Sequence, residues 1–121
     1  MVATRQQAGG AAVEAVSGVI VTLTYSASIT PNAALGSILV ITATNGTAFT
    51  INAPTNPATG QKLTFTIRNT AGGALGTATW NAVFKMATWT QPGSANSRSI
   101  TFYYNGTNWV ETHRTAADIP N

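Results

Sequence analysis

Residues 38–51 read ILVITATNGTAFTI: two runs of β-branched and apolar residues, Ile38 to Thr44 and Thr47 to Ile51, on either side of Asn45-Gly46. Asn-Gly is the dipeptide that best tolerates the positive φ angles of a type I′ turn. The two runs are therefore expected to pair as an antiparallel hairpin.

The same signal recurs in both directions. Toward the N-terminus, Val19, Val21, Leu23 and Tyr25 alternate with Ile20, Thr22, Thr24 and Ser26, the period of a half-buried strand. Toward the C-terminus, Pro54 and Pro57 bound a loop ending at Gly60. Leu63, Phe65 and Ile67 then alternate with Thr64, Thr66 and Arg68, and Ala71-Gly72-Gly73 supplies a turn. Leu75 to Trp80 and Val83 to Met86 read as two shorter strands, followed by a Pro92-Gly93 turn inside the polar loop Gln91 to Ser97. The clearest pair comes last: Ile100, Phe102 and Tyr104 alternate with Thr101 and Tyr103, Asn105-Gly106 turns the chain, and Thr107 to His113 returns. About eight short strands at this spacing, with no convincing helix, predict an all-β fold, an antiparallel β-sandwich of jelly-roll-like form. Parallel classes are set aside because helical crossovers need ten or so residues, and these loops are short and rich in Gly, Pro and Asn. The expected layout is a flexible N-terminal arm over residues 1–18, the sandwich over 19–114 and a C-terminal tail over 115–121.

The composition sets the function classes. Of 121 residues, 44% are hydrophobic and only 7% charged, with 21 Thr, 20 Ala and no Cys. Ordinary soluble domains carry roughly 25% charge, so the surface here must be mostly Thr, Ser, Asn, Gln and Ala. Such a surface suits packing against copies or partners, where an unpaired buried charge costs free energy. The small side chains on both strand faces also suggest that a protomer does not close its own core, hence an oligomer. Net charge +3 invites a nucleic-acid reading. Arg5, Lys62, Arg68, Lys85, Arg98 and Arg114 stand singly, however, whereas nucleic-acid binders cluster their basic residues. No apolar run approaches a membrane span, and the N-terminal stretch has no hydrophobic signal-peptide core. No nucleic-acid or membrane partner is therefore expected.

Catalytic chemistry has little to draw on. Glu14 lies in the arm and Asp118 in the tail, while Glu111 and His113 stand on a strand at i, i+2, where both are expected to project from one face as a base and its orienting partner would. No nucleophile motif accompanies them, and two ligands fall short of the three or four zinc requires. No catalytic residue, metal or cofactor is assigned. Asn45-Gly46-Thr47 and Asn105-Gly106-Thr107 match the glycosylation sequon, but the turns already account for both. Among the aromatics, Trp80, Phe102, Tyr104 and Trp109 fall where alternation places core residues. Trp89, between Thr88 and Thr90 beside the Pro-Gly loop, is the candidate for an exposed anchor at a partner surface. With Gln91, and with Arg5, Gln6 and Gln7 of the arm, it forms the expected partner interface.

The stretch Thr77 to Glu111 resembles a segment recurring in virion proteins of tailed bacteriophages, in tail-fibre modules and in head-decoration or head-fibre proteins. The matching residues are Trp80, Asn81, Phe84, Lys85, Pro92, Phe102, Tyr104, Asn105, Gly106, Thr107 and Trp109. The run from Phe49 to Pro57, and Gly60 to Phe65, is similar to the preceding part of such modules, so the resemblance spans residues 38–112. Met86 stands where these segments often carry Trp, and Ser97 to Ser99 replaces a commonly acidic residue. The resemblance implies a structural protein of the virion, often a homotrimer, found on the capsid surface and in the host cytoplasm during assembly. The leading expectation is a decoration (cement) protein bound to the major capsid protein lattice; 121 residues from a Met fit a whole small gene product better than a long fibre. The alternatives are a tail-fibre or head-fibre module binding host surface glycan, and a non-viral carbohydrate-binding module.

Overall fold

The computed structural model describes residues 18–121. The expected arm, with Arg5, Gln6 and Gln7, lies outside the described residues except for Gly18. Ten strands follow one another: β1 (Ile20–Leu23), β2 (Ser28–Ile29), β3 (Ile38–Ala43), β4 (Phe49–Ile51), β5 (Lys62–Asn69), β6 (Ala78–Trp80), β7 (Phe84–Lys85), β8 (Asn96–Tyr104), β9 (Trp109–Arg114) and β10 (Ile119–Pro120). The chain is all-β, as expected, with no helix among the described residues.

The pairing differs from expectation. The larger sheet has the order β1-β3-β5-β8-β9-β7, with β10 on β8, and the smaller sheet the order β2-β4-β6. β1 with β3, β3 with β5, β2 with β4, β4 with β6 and β7 with β9 are all parallel. Only β8 pairs antiparallel, with β5, β9 and β10. The large sheet is thus mixed and the small one wholly parallel, in place of the antiparallel sandwich expected, and the first half of the chain winds as a stack of coils in the manner of a β-solenoid. Each coil lays one strand in the large sheet and the next in the small one. Parallel neighbours do need a long crossover; here the crossover is a strand of the opposite sheet instead of a helix.

The expected hairpin at Asn45-Gly46 is therefore a corner between sheets. Neither Asn45 nor Gly46 has the positive φ that a type I′ turn demands at both central positions. The Asn45 side chain instead accepts the Thr47 N–H at 2.9 Å, an Asx turn that bends the chain without reversing it. Coils stack at this corner. The Tyr25 hydroxyl of the coil before donates to the Thr47 carbonyl at 2.7 Å and lies 3.0 Å from Asn45 Oδ1. On the other side Gly76 presses so closely on the backbone of Gly46, Thr47 and Ala48 that a Cβ there would collide with it. Asn105-Gly106, by contrast, does join an antiparallel pair, β8 and β9, as expected. Gly106 has φ +99°, and Asn105 Oδ1 accepts the N–H groups of Thr107 and Asn108.

Alternation then places the core. In the large sheet Leu39 and Ile41 lie beside Phe65 and Ile67, and Phe65 lies opposite Ile100. All five are wholly buried, as are Leu63, Phe102 and Ile51. Each such side chain removed from water stabilises the fold by about 1.5–3 kcal/mol before chain entropy is counted. Phe65, Trp80, Phe84 and Phe102 meet mostly edge to face, with ring centroids 5.0–5.9 Å apart. The buried Asn69 spends its side chain on backbone: Nδ2 donates to the Gly73 and Pro92 carbonyls and Oδ1 accepts the Ala71 N–H. Residues 115–121, set apart as a tail, return to the sheet as β10. Arg98 pairs with Asp118 at 2.7 Å, and Asn121 donates to the Asn69 carbonyl at 2.9 Å.

The two Asn-Gly turns should respond oppositely to one added methyl group. Gly46→Ala meets only an ordinary contact with the Ala74 carbonyl and needs no left-handed backbone. It is expected to be neutral or to stabilise by about 0.4–1 kcal/mol, whereas Gly106→Ala should destabilise by about 1–2 kcal/mol. Urea denaturation followed by tryptophan fluorescence reads both; equal effects would contradict the corner geometry.

Candidate functional site

The end of β6, the start of β7 and the loop that follows build an open groove. Ala78, Trp80 and Asn81 form one wall and Met86, Thr88 and Trp89 the other, around about 390 Å³. Trp80 follows from the alternation of β6, which turns its ring toward Phe65, Phe84 and Phe102. Asn81 ends the strand by an Asx turn, its Oδ1 accepting the Val83 N–H at 2.9 Å, and this sends the chain into β7. Trp89 then leans back across Trp80, with centroids 5.4 Å apart and planes at 66°.

Trp89 and Gln91 come together, as the expected interface requires. The indole Nε1 of Trp89 donates to Gln91 Oε1 at 2.8 Å, and Gln91 Nε2 donates to the Gly76 carbonyl at 2.7 Å. Trp89 is half-buried, however, and not the freely exposed anchor expected from its Thr neighbours. The Trp80 ring meets one part of it, and the Arg114 guanidinium stands 5.8 Å from its centroid. Trp80 and Tyr104 are likewise half-buried against the core, while Phe102 and Trp109 are fully buried. Trp80 Nε1 is the one buried side-chain nitrogen or oxygen without a hydrogen-bond partner among the described residues.

The loop under the groove is held by an ion pair that the sequence reading did not assign. Arg114 Nε lies 2.6 Å from Glu111 Oε2 and Nη2 lies 2.9 Å from Oε1; Nη1 and Nη2 also donate to the Thr88 and Ala87 carbonyls. Glu111 Oε1 in turn accepts the Ala87 N–H at 3.0 Å. A β-bulge makes this possible. Thr101 pairs with His113 but Phe102 pairs with Glu111, which leaves Thr112 as the extra residue. Because cross-strand partners share a face, Glu111 and Arg114 turn to the core side with Phe102 and Ile100, and His113 turns to the outer side. The same-face arrangement of Glu111 and His113 expected from i, i+2 spacing does not exist. Among the described residues no group of three His, Asp or Glu side chains converges on a point.

Asp118 plays a parallel part on the next loop, taking the Gly93 N–H at 3.0 Å beside its pair with Arg98. Hydrogen bonds from Arg114 and the Ala87 amide hold the Glu111 carboxyl below its ordinary range. Those from Arg98 and the Gly93 amide do the same to Asp118. Comparison with family models, curated proteins and solved structures finds no match to the chain.

Both depressed carboxyls make folding sensitive to acid. The unfolded chain takes up protons first as pH falls, so the stabilisation is whole above the ordinary carboxylate range and is lost as pH drops through the lowered folded values. Thermal melts are expected to decline in Tm below that range. The decline should flatten in the double variant Glu111→Gln/Asp118→Asn, whose Tm at neutral pH is already reduced. An unaltered acid slope in that variant would show that other groups carry it.

Proposed function

We propose that this chain is a structural module of a bacteriophage virion, a decoration protein that binds the assembled head and stabilises it without catalysis. The observation carrying this reading is the outer face of the large sheet. There Thr64 and Thr101 share a hydrogen bond at 2.8 Å, and Thr66 and Ser99 another at 2.8 Å, beside Val40 and Thr42 of β3. Hydroxyls already paired across strands lose little when water is removed, so this strip, which lies between Lys62 and Arg68 on the same face of β5, can be covered at a smaller desolvation cost than a strip of charged groups. The resemblance of residues 38–112 to virion segments points the same way. A protein that binds only the assembled shell stabilises it by mass action, by about 2.7 kcal/mol when free protein is at 100 times its Kd.

The test is to mix purified protein with empty heads, image them, and repeat with a version lacking residues 1–17. Saturable occupancy at lattice symmetry points, with a raised melting temperature of the heads, is expected; reduced occupancy of the truncated version would assign the contact to the arm. Attachment to host cells with none to heads would sink the reading.

The groove gives a second reading its own footing. Trp80, Trp89 and Asn81 around an open cleft are the side-chain types that hold a sugar ring against an apolar surface. On this reading the module binds host glycan, and Trp89→Ala should abolish retention on host cell-wall polysaccharide while leaving assembly intact. An unchanged polysaccharide affinity counts against it.

A further inference from the structure

The two margins of the large sheet are built differently. At one margin lies β7, two residues long and carrying Lys85, the short charged form that discourages pairing with another chain. At the other lies β1, four uncharged residues with one backbone edge that pairs with no strand among the described residues. Every Lys, Arg, Asp, Glu and His among the described residues falls at Lys62 or later, so residues 18–61, which wind the first two coils, contain none.

The β1 end is also where the apolar stack is left open. Val21 and Leu23 point inward beside Leu39 and Ile41, but they are half-buried where their neighbours are wholly buried. Val19, Ile20 and Leu35 are 59%, 66% and 60% exposed around them. A groove of about 370 Å³ runs here, lined by Val21, Leu23, Ile29 and Leu35 together with uncharged threonine, serine and asparagine side chains. The free edge of the smaller sheet, β2, lies along the same groove.

We propose that this end face is a self-association surface on which a second copy of the chain docks, β1 against β1, antiparallel about a two-fold axis. The occupant must offer a free strand edge, apolar side chains and no charge, since the face provides nothing to neutralise one. The chain itself carries an edge meeting all three requirements, and joining it to its own copy keeps the described charged residues, Lys62 and those after it, away from the contact. Alternation fixes the register further. A two-fold pairing that keeps core side with core side must match residues of like parity. Centring it on Thr22 sets Val21 of each copy against Leu23 of the other and continues the large sheet from protomer to protomer. The contact makes pairs, in place of the trimer that the resemblance implies. It is independent of head binding, because the purified chain alone tests it.

Light scattering on the full chain across a concentration series should give a reversible species of twice the 12.5 kDa chain mass. Ile20→Lys, at an exposed edge position, should weaken the pair at least tenfold with Tm of the monomer unchanged. Ile119→Lys, exposed away from this face, should leave it intact. Because the chain has no Cys, Thr22→Cys should yield a single disulfide-linked dimer on mild oxidation. A monomer at all concentrations, a trimer, or a dimer indifferent to Ile20→Lys would overturn the proposal. So would dimerisation that appears only after residues 1–17 are removed, which would make the chain's own N-terminal segment the occupant. Failure of Thr22→Cys to cross-link would overturn the register.

Discussion

The stacking of like on like between successive coils is the constraint on which everything else rests. Leu39 lies beside Phe65 and Ile41 beside Ile67, and Phe65 faces Ile100 across the antiparallel pair. A parallel in-register stack of this kind brings one apolar side chain of each coil over one of the next, so the one core cluster is assembled from short ladders. The ladders fix where the corners fall. Once Ala43 and Phe49 are both buried, the five residues from Thr44 to Ala48 must carry the chain from one sheet to the other, and the Asn45 Asx turn with its Tyr25 and Gly76 neighbours is how that passage is closed.

The ionic residues are placed by the same logic. Four of them meet a specific structural need: Arg114 with Glu111 ties down the Ala87–Thr88 backbone, and Arg98 with Asp118 ties down Gly93. Both pairs sit where the antiparallel second half of the molecule must hold loops that no further coil covers. The Asn45 corner in the first half needs no such tie, because it is held by the coil on either side, through Tyr25 and Gly76. Among the described residues, charge is therefore absent from the first two coils and begins with Lys62 and Arg68 on the third, where β5 turns its other edge to the antiparallel β8.

Much of this was legible in the sequence. Alternation at Leu63 to Arg68 and at Ile100 to Tyr104 located two strands and their buried faces correctly, and Asn105-Gly106 marked a true reversal. What misled was Asn45-Gly46. The dipeptide permits a type I′ turn but does not compel one, and the competing Asx turn at Asn45 uses the same residue types. Sheet direction was lost with it, since short Gly- and Asn-rich loops exclude helical crossovers but leave room for a strand of a second sheet. At the groove, Trp89 and Gln91, read as neighbours at a partner surface, prove to be bonded to each other, and Trp80 was assigned to the core, where half of it lies. The Glu111–Arg114 pair was missed because it depends on a bulge at Thr112, and a one-residue change of parity leaves no mark in a polar run such as Glu-Thr-His-Arg. Asp118 was read as tail because two-residue strands such as β10 are too short to show a period.

The docking of the last residues has a bearing on how the molecule comes into being. The Asn69 carbonyl takes hydrogen bonds from the Ala95 amide and from the side chain of Asn121, fifty-two positions further on. The early coils can wind one upon another as synthesis proceeds, each using only what has already emerged. The closing half cannot: β5 waits for β8 across a wide sequence separation, and β8 waits for the final strand. Maturation is thus split in time, progressive at the beginning and all at once at the end, and a nascent polypeptide halted shortly before completion would hold wound coils beside an unfinished seam.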